Sequence, residues 1–310
     1  MWHEIQVVGG SVLTLFLMMA VGFFMAKRGM LTQQTLSQMS TLLLYVVAPA
    51  IIIDTFLQQQ PTPDTLRELL IAAGVMVGTY VLNMVLVQLC FRRSAEGVQG
   101  ILRFASIYGN TGFMGIPLIL AVLQGEGMLL TVTSLAVFNI CVWTHGMLLI
   151  GGKDEVSVKK GLLNPGVVGF GLAILLFLLQ VPVPDPVMEA VGYLGSLNTP
   201  LAMVIIGAQM AAVSLPSLLK DGRLYLVSAL KLLVVPLITM AVLLPLHLAQ
   251  PTFLAAVILA GCPVAGITSL FAQKLGKDAP LAAKLVTLST LLCILTLPVV
   301  TLAARALCGG

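Results

Sequence analysis

The sequence predicts an all-α polytopic membrane protein of about ten transmembrane helices, arranged as two inverted five-helix repeats. Three observations predict it. Of the 310 residues, 59% are hydrophobic and 9% charged, against about 25% charged in soluble proteins. Lys and Arg collect in alternate gaps between the apolar runs, and the two halves carry prolines at matching depths. Ten spans of about 21 residues use about 210 positions, which leaves no room for a soluble catalytic or nucleic-acid-binding domain. The expected partners are therefore the lipid bilayer and a small solute, with no nucleic acid.

Met1-Trp2-His3-Glu4 lacks the basic n-region of a secretory signal, so the apolar run 7–26 reads as a retained first span, ending at Lys27 and Arg28. The second span, 36–57, carries Pro49 in its middle. The third, 69–91, holds Gly74-Val75-Met76-Val77-Gly78, a GxxxG spacing that reads as close packing between helices of the same chain, with dimerisation as the alternative. The fourth and fifth, 101–123 and 128–150, complete a first repeat over 1–150. Lys153, Asp154, Glu155, Lys159 and Lys160 mark 151–163 as a linker too short to be a domain. The second repeat, 164–310, continues with spans at 165–181, 187–213, 224–247, 253–275 and 281–304. Its seventh helix carries Pro200 and its ninth Pro263, each about half the chain from its partner, Pro49 and Pro117 respectively. Five spans per half is an odd number, so the second copy enters the membrane upside down.

Orientation follows from the basic residues. One set of gaps holds Lys27 and Arg28, Arg92 and Arg93, Lys153, Lys159 and Lys160, Lys220 and Arg223, and Lys274 and Lys277, with Lys284 just inside the last helix. The opposite side offers Arg67 and Arg305. Both termini are expected outside and the linker in the cytoplasm, in a bacterial inner membrane. The five cysteines, Cys90, Cys141, Cys262, Cys293 and Cys308, form no CxxC and suggest neither a disulfide framework nor a zinc site. With no HExxH, no aspartate-rich metal motif and no G-x-S-x-G, the chain reads as a non-enzyme without metal or cofactor.

The most informative stretch is Tyr108-Gly109-Asn110-Thr111-Gly112-Phe113-Met114-Gly115-Ile116-Pro117-Leu118. Its counterpart is Ala260-Gly261-Cys262-Pro263-Val264-Ala265-Gly266-Ile267-Thr268-Ser269. Proline removes a helical donor and glycine lets the backbone unwind, so both helices are expected to break there. Irregular backbone at membrane depth is tolerated where protein or a wet cavity covers it, which points to a substrate site between the repeats. Each half-helix beyond a break aims a positive dipole end inward and favours an anion. Two such ends supply only about 1 to 4 kcal/mol, less than burying a bare carboxylate costs, so the site must be wet or add hydrogen bonds. Asn110 and Thr111 are the nearest side-chain donors. Asn139, Asn198, Thr268, Ser269 and Gln273 stand behind them, and Gly112, Gly115, Pro117, Pro263 and Ala265 form the surrounding backbone. Pro49, Pro117, Pro200 and Pro263 are the candidate hinges.

Ionisable residues within spans are few. Lys231, Arg103 and His145 lie close enough to a helix end for snorkelling, and Asp54 reads as interfacial. No midplane pair of acidic residues is evident, which weighs against an antiporter that carries protons on twin carboxylates.

Asn110 to Leu118 resembles the fourth-helix signature of the auxin efflux carrier family, whose bacterial members include malonate-type carriers and whose plant members are the PIN proteins. The segment through Pro263 and Gln273-Lys274-Leu275-Gly276, the run from Leu285 to Pro298, and the settings of Pro49 and Pro200 are similar to it as well. The resemblance implies a scaffold domain, a transporter domain and two helices crossing at their prolines, as in the sodium/proton antiporter and bile-acid symporter fold. It implies further that Asn110 meets a substrate carboxylate beside Pro117 and Pro263, and by analogy a homodimer. The linker is shorter than the long phosphorylated loop of many plant members, so regulation through it is not implied.

The expected function is a secondary active or potential-driven carrier of small organic anions, such as malonate, malate or auxin-like acids, working by elevator-type alternating access. A charge crossing 100 mV is worth about 2.3 kcal/mol, so about 150 mV helps a monovalent anion leave by about 3.4 kcal/mol, a few hundredfold in gradient; export is favoured. The alternatives are a carboxylate symporter coupled to H+ or Na+, and a non-transporting membrane sensor or scaffold.

Overall fold

The structure is a computed structural model that describes residues 2–91, 96–218 and 220–308. The expected basic pair Arg92 and Arg93 lies outside the described residues. Besides single turns at Lys153–Glu155, Val158–Leu162 and Leu215–Leu218, the described residues form twelve longer helical segments: α1 Trp2–Lys27, α2 Gln33–Leu57, α3 Pro63–Cys90, α4 Glu96–Ile107, α5 Thr111–Leu123 and α6 Met128–Gly151, then α7 Pro165–Leu179, α8 Asp185–Met210, α9 Gly222–Leu246, α10 Gln250–Ala260, α11 Ile267–Lys274 and α12 Ala279–Cys308. Seven of the helices are long and apolar enough to cross a membrane, and α5, α7 and α10 are shorter apolar helices. No strand forms among the described residues; a single antiparallel bridge joins Gly109 to Val264.

Local chemistry sets the helix starts. Thr32 and Thr62 accept hydrogen bonds from the backbone N–H groups of Thr35 and Thr65, and Asn164 from that of Gly166, each satisfying a donor that the first turn leaves free. Pro63 and Pro165 then occupy first-turn positions, where a missing N–H costs nothing.

Three helices widen into a π turn that ends two residues before a proline: Leu43–Val47 before Pro49, Thr111–Gly115 before Pro117, and Leu230–Val234 before Pro236. A proline ring crowds the carbonyl four residues back and has no N–H to offer it. The wider turn relieves both defects without ending the helix. A fourth wide turn, Val142–Gly146, precedes no proline.

The closest helix contact joins α1 to α8. A Cβ at Gly22 would overlap the carbonyl of Val204, and one at Gly207 that of Met19, so these backbones touch where only glycine lets them. The expectation for Gly74 and Gly78 is corrected: a Cβ at either meets nothing within 4 Å, because both lie on the outward face of α3 beside exposed Val77 and Val81. Exposed leucines and valines on α1, α3 and α7 give the apolar outer surface that a bilayer solvates.

Candidate functional site

The runs 101–123 and 253–275, expected to break at their glycines and prolines, are each divided, at 108–110 and at 261–266, and the two interruptions lie side by side. The Asn110 N–H donates to the Pro263 carbonyl at 2.7 Å, and the Ala265 N–H donates to the Tyr108 carbonyl at 3.0 Å. The backbone groups released by unwinding one helix are thus satisfied by the other, as buried peptide groups require. Ser289 of α12 adds a third support, its Oγ accepting from the Val264 N–H at 3.0 Å. Nothing in the sequence marks Ser289 apart from the other hydroxyls of that helix.

Asn110 caps α5, its Oδ1 accepting from the Phe113 N–H at 3.2 Å. Thr111 is 3% exposed, and its Oγ1 has no hydrogen-bond partner. Gly112 and Gly115 keep α5 close to its neighbours: a Cβ would come within 3.1 Å of Leu135 and 2.6 Å of Leu259 respectively. Pro117, Pro263 and Ala265 are buried around the same junction. Thr268 and Ser269 sit just beyond it on α11, where their hydroxyls donate to the carbonyls of Ala265 and Gly266 at 2.6 and 2.9 Å.

The remaining candidates are placed differently. Asn139 donates to the Leu135 carbonyl and faces Gly166 near the start of α7. Asn198 is buried at the bend of α8, its Nδ2 without a partner. Gln273 is exposed at the end of α11. Pro49 rests against Gly169 of α7, and Pro200 is exposed on α8.

The snorkelling expectation for Lys231 is corrected. Lys231 is 2% exposed, and its Nζ donates to the Ala260 carbonyl at 3.0 Å, at the end of α10 where the second interruption begins. It lies in the π turn of α9, which directs it inward, and Gly109 leaves room for its head: a Cβ there would lie 2.8 Å from Cε and 2.9 Å from Nζ. Thr79, Tyr80, Asn83, Gly109 and Thr111 share a cavity with it. The cavity measures about 10 Å³, room for about one water. Among the described residues no carboxylate pairs with Lys231. His145 also points inward, its Nδ1 3.0 Å from the Tyr108 hydroxyl, whereas Arg103 reaches the Phe91 carbonyl at 3.4 Å.

Apolar helices around a paired interruption suit the transport of a solute rather than the anchoring of another domain. The family model described as membrane transport protein matches residues 7–301. The chain belongs to this family of membrane transporters, that of the auxin efflux carriers. This family member is similar to a protein of Methanothermobacter thermautotrophicus described as an uncharacterized transporter, 23% identical over 93% of this chain and 95% of the relative. A second such transporter, from Methanocaldococcus jannaschii, is 23% identical over 68% of this chain and 70% of its own length. The protein is accordingly a multi-pass membrane transporter that meets both a bilayer and a transported substrate.

Proposed function

We propose that this transporter carries small organic anions, with carboxylates such as malonate, malate or auxin-like acids as the substrate class, and that the anion meets the paired interruptions around Asn110 and Pro263. The observation that carries the reading is the mutual pairing of 108–110 with 263–265, which leaves the N-terminus of α5 inside the molecule with Asn110 as its cap and favours negative charge there. Buried Lys231 and the unpartnered Thr111 hydroxyl add positive and polar character at the same place.

The ten-helix, two-repeat organisation belongs to this proposal: repeats 1–150 and 164–310 joined by the cytoplasmic linker 151–163, with both termini outside an inner membrane and a transporter domain that holds both interruptions moving as an elevator against a scaffold domain. Asn110, Thr111, Thr268 and Ser269 are the residues proposed to face the substrate. Export follows the membrane potential without a coupled ion. Coupling to H+ or Na+ is the alternative, and it would permit uptake.

The test is flux of labelled monocarboxylates, dicarboxylates and indole acetate into proteoliposomes carrying an imposed potassium diffusion potential, with and without proton and sodium gradients. Flux that follows voltage alone supports a uniporter suited to export, and flux that requires a cation gradient identifies a symporter. Absence of flux across the whole panel overturns the substrate class.

A further inference from the structure

We infer that Lys231 supplies the counter-charge for one carboxylate group of the bound anion, in the cavity it shares with Thr79, Asn83, Gly109 and Thr111; this rests on the reading of the chain as an organic-anion carrier. An ammonium has three N–H donors. One is used by the Ala260 carbonyl, which leaves two, and no carboxylate among the described residues takes them. An ionisable group inside a membrane protein calls for a partner of opposite charge, and a bound carboxylate meets the need with two acceptor oxygens.

The rest of the cavity fits the same ligand. Asn83 is 2% exposed and its Oδ1 has no partner, and the Thr111 hydroxyl, equally buried, has none either. Thr111 can donate to an anion. The Asn83 amide can accept from the ammonium or, turned over, donate to the anion. Three helices and one interruption thus bring a cation and two uncommitted polar groups to one cavity, roofed by the apolar Met76 and Leu259. At about 10 Å³ the cavity admits a carboxylate only when its walls separate, so entry of the anion is tied to movement of α3 against the paired interruptions.

The experiment measures melting of the purified full-length protein in detergent against increasing sodium acetate, malonate or benzoate, with sodium chloride at matched ionic strength. Wild type, Lys231→Met and Asn83→Leu are compared. Methionine keeps the length of the side chain and removes the charge, a change that buried sites commonly tolerate. Wild type should show a saturable rise in melting temperature with at least one carboxylate, and both variants should require at least about tenfold more of it. Wild-type affinity in Lys231→Met overturns the assignment, as does stabilisation by chloride alone or by none of the salts. Flux in proteoliposomes separates the two readings. Unchanged flux in Lys231→Met removes Lys231 from the site and leaves the carrier standing, whereas Lys231-dependent binding without flux leaves the site standing and removes the carrier.

Discussion

The backbone N–H of Asn110 and the carbonyl of Pro263, 153 residues apart in sequence by their numbering, are joined at 2.7 Å. The bond makes each helix break the repair of the other. Neither interruption is satisfied alone, so the two form one structural unit on which the proposed substrate chemistry rests.

Asn110 both caps α5 and occupies the proposed anion site. Asn110→Ala should cost about 1 kcal/mol of stability, the usual worth of a cap, and cut flux at least about tenfold. Asn110→Asp keeps an oxygen for the Phe113 N–H but places negative charge where the anion binds. It should melt near wild type and transport less than Asn110→Ser. Equal flux in Asp and Ser variants would remove Asn110 from contact with the anion.

Gly109 makes room for Lys231. In Gly109→Ala the new methyl would lie 2.8 Å from the lysine Cε and 3.2 Å from the Cys262 carbonyl, so destabilisation of about 1 to 3 kcal/mol is expected from overpacking. Shortening the lysine in Gly109→Ala/Lys231→Ala should recover part of that loss, a non-additivity readable in a thermal double-mutant cycle.

Small residues on two helices should behave oppositely. Gly207→Ala drives a methyl into the Met19 carbonyl and should separate α1 from α8, lowering the melting temperature. Gly74→Ala and Gly78→Ala meet open space and should raise it slightly, since alanine is the better helix former by about 1 kcal/mol.

Asp221 caps α9 and grips Arg223, its Oδ1 accepting from the Arg223 backbone N–H at 3.0 Å and its Oδ2 from Nη2 at 2.6 Å. The side-chain bond to Arg223 holds the Asp221 carboxyl below the usual carboxylate range. A lowered folded value means that the cap contributes fully above the unfolded pKa of about 3.9. The contribution is lost as pH falls through the folded value. Asp221→Ala should therefore lower the melting temperature at pH 7 and converge on wild type in strong acid.

Much of this was legible in the sequence because membrane solvation leaves a coarse trace. Apolar runs located the helices to within a few residues, and the glycines and prolines around Asn110 and Pro263 located both interruptions. What stayed hidden depended on facing. Lys231 sits eight residues after Arg223 in an apolar run, a distance a long side chain can cover by reaching outward, and no sequence pattern shows that the π turn aims it inward. Gly74 and Gly78 carry a packing motif on a face that meets no neighbour, whereas Gly22 and Gly207 make the contact with no motif between them. Ser289 supports Val264 from the next long helix, and it is one of several hydroxyls there with no pattern to single it out.

The wide turn in α9 has a geometrical consequence of its own. The buried positions Leu224, Ser228, Leu232, Pro236 and Met240 recur every fourth residue, whereas a straight α-helix repeats every 3.6 residues or so and would rotate such a row steadily around its axis. The surplus residue in Leu230–Val234 winds the row back by about 100° and keeps it on one side. Deleting a single residue there would remove the wide turn and leave everything downstream facing as it does, whereas winding the whole stretch as ordinary α-helix would turn it by that angle, carrying Thr239 and Met240 toward lipid. In α9 the register of the interior is kept by an irregularity, and a perfectly regular helix would lose it.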